Sequence, residues 1–253
     1  MKAALFDAIV AAGRRKRPVA TVTDLNDGAQ ALVTADSVTG SLSLDAAQIA
    51  ESRAMLAGEA SGLLREAASP GGDGPRLFVH VYALPRRLVI VGAVHIAQAL
   101  APMARLAGYA VQIIDPRGAF ATHARFPDCD LQVAWPDDVL RNSPPDSGTA
   151  IAVLTHDPKI DDPALRVACP GPAFYIGALG SRRTHAKRRE RLAAEGLTAA
   201  QLDRIHAPIG LAIAARSPAE IAVSILAEIT AVRRGGVPVA GPQAASATPA
   251  AAS

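Results

Sequence analysis

Leu88-Val89-Ile90-Val91 is an uninterrupted apolar run that stops at Gly92. A strand with one wet face alternates apolar and polar residues, so a run without alternation marks a strand covered on both faces. A helix is predicted next, from about His95 to Ala107, with a kink at Pro102 and a stop at Gly108. The pattern repeats along the chain. Val111–Ile114, the short Leu131–Val133, Ala150–Leu154 and Ala173–Ile176 read as strands, and helices are predicted over 182–195 and 217–233. Ser217-Pro218 supplies a cap and first-turn proline for the last of these. Strands separated by helices imply a doubly wound parallel sheet in an α/β fold.

The segment before this reads differently. A helix is expected from about Ala3 to Ala12, then a β-branched strand Val19–Thr23 and a hairpin turn at Asn26-Asp27-Gly28. Ala31–Thr34 returns, Asp45 caps a helix to about Glu59, and Leu77–Val81 forms a further strand. We therefore expect a small α+β domain over 1–84 and the α/β domain over 85–234. The stretch from Ser69 to Pro75 is rich in Gly and Pro and reads as a linker or loop. A disordered tail is expected over 235–253, where neither periodicity nor charge appears.

Composition removes several classes. With 50% apolar residues and a net charge of +3, the chain is not intrinsically disordered. Two cysteines cannot build a disulfide framework or a thiolate-rich zinc site within one chain. No basic stretch is interleaved with aromatics, so no nucleic-acid partner is expected. The basic cluster Arg14–Arg17 follows the N-terminal apolar residues rather than preceding them, the reverse of a secretory signal, and no apolar run is long enough to span a bilayer. The expected location is the cytoplasm, and no metal site is expected.

Candidate binding residues gather where strands end, because ligands of open α/β sheets sit beyond the carboxyl ends of the strands. Gly92-Ala93-Val94-His95-Ile96-Ala97 occupies the place of a dinucleotide-binding G-x-G-x-x-G turn but keeps only the first glycine. Val94 adds bulk where a pyrophosphate would approach. Asp115, about 20 residues on, could hold a ribose hydroxyl, and Arg117 follows it. Thr155-His156-Asp157 closes another strand, although Asp157 before Pro158 also suits a simple turn. In Gly177-Ala178-Leu179-Gly180-Ser181-Arg182-Arg183 a strand enters a glycine-containing turn. Ser181 caps the next helix, whose free N–H groups join Arg182 and Arg183 in an anion site. Lys187, Arg188, Arg189 and Arg191 read instead as a solvated helix face. His206 and Gly210 share a Pro-containing loop that suits either ligand contact or a backbone-bonded histidine. Cys129 and Cys169 read as packing residues. The residues predict no nucleophile–base pair, so no catalytic residue is assigned.

Five segments taken in order, VGAVHIAQALAPMARLAGYAVQIIDPRGAFATHARFP, LTHDPKIDDPAL, AFYIGALGSRRTHAKRRERL, RIHAPIGL and SPAEIAVSILAEITAVRRG, resemble the XdhC/CoxI family. That family comprises accessory proteins of xanthine dehydrogenase, carbon monoxide dehydrogenase and related molybdenum hydroxylases. The resemblance covers about 88–234 and implies a Rossmann-like domain. It further implies binding and protection of molybdenum cofactor, as molybdopterin or its dinucleotide form. The cofactor would be carried rather than used, sulfurated with a cysteine desulfurase and delivered to the hydroxylase apo-subunit, with a homodimer as the expected assembly. Two departures stand out. The family's GSxSGGCVE is matched best by Asp36-Ser37-Val38-Thr39-Gly40-Ser41-Leu42-Ser43, with Leu42 at the Cys position, and a leucine carries neither metal nor sulfur. The family's GLDIGA is GLAIAA here, with Ala212 for the acid and Ala214 for a glycine. Two other readings compete: an NAD(P)-dependent oxidoreductase, against which Val94 and Ala97 argue, and a protein-interaction scaffold that binds no cofactor.

Overall fold

The computed structural model describes residues 3–65 and 76–236. The linker expected at Ser69–Pro75, and the expected tail beyond Gly236, lie outside the described residues. The chain divides into two compact units. One comprises residues up to Arg86 with Asp146–Gly148; the other comprises Arg87–Pro145 and Thr149 onward.

The first unit contains α1 (Ala3–Arg14), β1 (Val19–Asp24), β2 (Gln30–Val33), β3 (Val38–Gly40), α2 (Ala46–Gly58), β4 (Gly62–Leu63) and β5 (Leu77–Tyr82). Its strands form one antiparallel sheet in the order β3-β2-β1-β5-β4. The β1–β2 turn is held by its carboxylates: Asp24 accepts the Asn26 N–H and Asp27 that of Ala29. Strand alternation sends Val19 and Leu32 toward Leu5 of α1, and Ala20, Val22 and Val33 toward Leu56 of α2. Asp45 and Gln48 close a reciprocal capping box on α2.

The second unit contains β6 (Arg87–Val91), α3 (His95–Leu106), β7 (Ala110–Ile114), β8 (Asp130–Gln132), α4 (Pro136–Asn142) and β9 (Thr149–Val153). It continues with α5 (Pro158–Ala168), β10 (Tyr175–Ala178), α6 (Arg182–Ala194), α7 (Ala199–Leu202), β11 (Ile205–His206) and α8 (Pro218–Arg233). All six strands are parallel, in the order β8-β7-β6-β9-β10-β11. Leu88, Ile90, Ala152 and Tyr175 face a core shared with Ala97 and Leu100 of α3 and Ile225 and Ile229 of α8. Val89, Val91, Ile151 and Ile176 face Leu140, Leu165 and Leu192 of α4, α5 and α6. Both faces of β6 are therefore covered, which is why its sequence does not alternate.

Several elements depart from expectation. Asp157-Pro158 starts α5 rather than a turn, and Pro136 starts α4; both prolines take the first helical turn, where no N–H is needed. The expected strand Ala173–Ile176 shifts to Tyr175–Ala178, and the His206 loop contains the short strand β11. Helix α3 runs from His95 to Leu106 with Pro102 inside it. Among the described residues no helix is long and apolar enough to cross a membrane.

Candidate functional site

The strand order reverses between β6 and β9, so the crevice of this sheet opens where those strands end. Gly92 leaves β6 there with φ +113°, and its N–H donates to Ile114 O at 2.8 Å. A Cβ on Gly92 would lie 2.6 Å from Cγ2 of Thr155, at the end of β9. The turn thus needs glycine for both its backbone angle and its neighbour. Gly92→Ala is expected to lose about 2–3 kcal/mol in denaturant melts, from positive-φ strain and overpacking.

Asp115 follows directly on β7 and is fully buried. Its oxygens accept the Ala93 N–H at 2.8 Å, the Arg117 N–H at 2.9 Å, and Arg117 Nε and Nη2 at 2.9 and 2.8 Å. Burial opposes its ionisation, but the guanidinium and the two backbone donors prevail and hold the carboxyl below the usual range. Asp115 therefore fastens the Gly92-Ala93 turn to the next strand instead of offering a free carboxylate to a ribose. Arg117 lies over the Phe120 ring, 4.8 Å from its centroid. Arg125 clamps the same loop through the Ala93 and Phe120 carbonyls and Gln98. Helix α3 begins at exposed His95 behind Val94, with no side-chain cap on its first turn.

Beyond β9, Thr155 donates its hydroxyl to Asp161 and receives the Asp157 N–H at 3.1 Å. His156 is exposed and held at φ +63°, and Asp157 caps α5 through the Lys159 N–H. Beyond β10, Gly180 takes φ +137° and Ser181 caps α6 by accepting the Thr184 N–H at 3.1 Å. Arg182 and Arg183 are exposed on the first turn of α6. The expected solvated face of α6 needs correction at Arg188, which is 2% exposed. It donates to Leu179 O at 2.9 Å and to Asp161 at 3.4 Å, and its Nε lies 3.9 Å from Asp162. Arg191 holds the other side of Asp162. This buried pairing fixes the Leu179-Gly180 turn and, through Asp161, the Thr155 hydroxyl.

The remaining expected residues form a second group at the β10–β11 end. Gly177 is inside β10, with Ile209 and the Tyr175 hydroxyl filling the space a side chain would need, so it serves packing. His206, beside Gly177 in register, meets Glu228 of α8, and Gly210 donates its N–H to the same carboxylate. Tyr175 and Glu228 are not among the residues that sequence reasoning singles out. Glu228 could have been found: it falls three and seven residues after Ile225 and Ile221, on the apolar face of α8. Burial pushes the Cys169 thiol up to about 11 and raises that of Cys129, so neither is a ready thiolate.

Comparison with known proteins bears on the unit that carries these residues. Residues 88–229 match the family described as the XdhC Rossmann domain. The chain belongs to the XdhC family. It is 35% identical over 147 residues to the molybdenum cofactor insertion chaperone PaoD of Escherichia coli, a match covering 58% of this chain and 40% of that one. It is 34% identical over 149 residues to a probable xanthine dehydrogenase subunit of Bacillus subtilis, covering 58% and 43%. This XdhC-family chain thus matches less than half the length of those curated relatives. The crystal structure of a xanthine dehydrogenase from Bacillus halodurans shares the fold with TM-score 0.64 and 24% identity, over 92% of this chain and 66% of that one.

The two stretches in which the resemblance implies departures have these surroundings. Leu42 packs against the core of the first unit with Val38 and Leu44. Thr39, Gly40 and Ser41, from the same stretch, line a cavity of about 430 Å³ in that unit. Ala214 sits at φ +59°. An alanine in that region carries strain that a glycine would not.

Proposed function

We propose that this chain is an accessory factor that binds molybdenum cofactor and assists its sulfuration and insertion into a molybdenum hydroxylase of the xanthine dehydrogenase or carbon monoxide dehydrogenase type. The observation that carries this reading is the 35% identity over 147 residues to a molybdenum cofactor insertion chaperone, beside the match of residues 88–229 to the XdhC Rossmann domain. The geometry supports it. The uncapped first turn of α3 at the switch point suits a phosphate, as do Ser181, Arg182 and Arg183 at the start of α6. A carrier needs tight binding without reaction, and the crevice offers anchored polar groups rather than an activated nucleophile. The cofactor is cargo, taken as molybdopterin or its dinucleotide form in the cytoplasm. It is passed on in company with a cysteine desulfurase and the apo-form of the hydroxylase. The same proposal includes a homodimer.

The NAD(P) reading has less support, because Asp115 is spent on Arg117 and the glycine turn and Val94 replaces the second glycine. The deciding experiment is anaerobic purification followed by pterin and phosphate analysis. Pterin is expected to copurify, and Arg182→Ala is expected to weaken its retention about tenfold, the loss of one charge-assisted hydrogen bond. Protein free of pterin under every condition, with apo-hydroxylase activation unaffected, would overturn the proposal. Stabilisation by NADH with no pterin would favour the alternative.

A further inference from the structure

The contact between β11 and α8 fixes which way one imidazole can hydrogen-bond. Glu228 is 8% exposed. Its Oε2 accepts two donors, the Tyr175 hydroxyl and the Gly210 N–H, the latter at 2.8 Å. Its Oε1 lies 3.2 Å from Nδ1 of His206. The Tyr175 and His206 rings pack with centroids 4.7 Å apart, which limits rotation of the imidazole. Burial disfavours the charge on Glu228, but His206, Tyr175 and the Gly210 N–H outweigh it and keep the carboxyl below its usual range. An ionised carboxylate only accepts, so Nδ1 must carry the hydrogen. A neutral imidazole has one N–H, which leaves Nε2 with a lone pair. No described residue bonds Nε2, and 31% of the His206 side chain is exposed. The parallel register sets His206, the last residue of β11, level with Gly177, Ala152 and Ile90, one residue short of the carboxyl ends of β10, β9 and β6, and three strand spacings or about 14 Å from β6.

We propose that His206 is a specificity-determining acceptor of the crevice: its Nε2 receives a hydrogen bond from a ring or exocyclic N–H of a pterin-class guest, and Glu228 is the positioning residue that fixes the tautomer. This rests on the reading of the crevice as a cofactor carrier. The site favours a heterocycle that presents a donor at that point and rejects one that presents a lone pair, since an unmatched buried polar group is costly.

Glu228→Gln tests this with little change of shape. Tyr175 and Gly210 both donate to one oxygen, so the glutamine must keep its carbonyl there and turn its NH₂ toward Nδ1. Nδ1 then accepts and the hydrogen moves to Nε2, which turns the acceptor into a donor. Long-range ¹H–¹⁵N spectra in alkaline buffer, where imidazoles are neutral, are expected to show His206 protonated at Nδ1 in the wild type. The Glu228→Gln variant should show it protonated at Nε2, and Tyr175→Phe should stay as wild type. Binding of molybdenum cofactor released anaerobically from a molybdenum hydroxylase is expected to weaken about ten- to a hundredfold in Glu228→Gln. A network that only fastens α8 would leave affinity unchanged in a folded variant. His206→Phe, which keeps the stacked ring and removes the acceptor, is expected to lose the same affinity and serves if Glu228→Gln does not fold. A wild-type His206 protonated at Nε2, or a reversed tautomer with unchanged affinity, overturns the inference alone. Absence of cofactor binding by the wild type overturns the carrier reading and this inference with it.

Discussion

Arg188→Ala is expected to lower stability by about 3–5 kcal/mol, because it leaves buried carboxylate charge without its partner. Asp161 is 1% exposed and would keep the hydroxyl and backbone hydrogen bonds of Thr155 but no paired guanidinium, while Asp162 keeps Arg191. Removing both members of a buried pair is far cheaper than removing one, so Arg188→Met combined with Asp161→Asn is expected to recover most of the loss. A double-mutant cycle from urea melts measures that coupling. The pH dependence has a definite sign. Burial, against the Thr155 hydroxyl and Arg188, already holds the Asp161 carboxyl above its usual range in the folded protein. Loss of Arg188 raises it further. A group with a raised folded value binds its proton more tightly when folded, so its favourable contribution is complete in acid and fades as pH rises through the folded value. The gap between variant and wild type should therefore be small below the ordinary aspartate range and widen toward neutrality. A gap that shrinks with rising pH would refute the assignment of Asp161 as the stranded charge.

Arg188 also shows where sequence reading stops. It lies among Lys187, Arg189 and Arg191, and local composition does not distinguish the residue that turns inward. Its partners are on α5, 27 residues away for Asp161, and that helix is itself hidden behind Pro158 and Pro163. Elements whose signal is local are legible. The unbroken apolar run marks β6, Ser181 and Ser217 mark the starts of α6 and α8, and Asn26-Asp27-Gly28 marks the β1–β2 turn. At the candidate site, sequence can place Gly92, Asp115 and Thr155 at strand ends, because the apolar runs before them stop there, whereas His206 reads as part of a loop. Sequence cannot say what each carboxylate holds. Asp115 looks like a ribose ligand by spacing and becomes a fastener only once Arg117 folds back on it. Glu228 stands out only when its helical phase is set against Ile221 and Ile225.

That fastening makes Asp115→Ala the other large expected effect, a loss of about 3 kcal/mol at neutral pH. The Ala93 N–H is buried and would have no acceptor, a cost of about 1–3 kcal/mol, and the emptied carboxylate site adds to it. Arg117 contributes less, since its side chain is 35% exposed and can turn to water. Asp115→Asn separates the two terms. Its carbonyl can still accept from Ala93, but its NH₂ then faces the donors of Arg117, so recovery should be partial. The pH behaviour is opposite to that of Asp161. The Asp115 carboxyl is held below its usual range, so its contribution is complete above the unfolded value near 3.9 and is lost as pH falls through the folded value. Urea melts of wild type and Asp115→Ala should thus differ most at neutral pH and converge in acid. The same variant frees the Gly92-Ala93 turn at the switch point, so cofactor retention should fall even at temperatures where the variant remains folded. If Asp115→Asn matched the wild type in both stability and retention, the Arg117 pairing would not be what sets this turn, and the Ala93 N–H bond together with Arg125 and its carbonyl contacts would have to position the start of α3 instead.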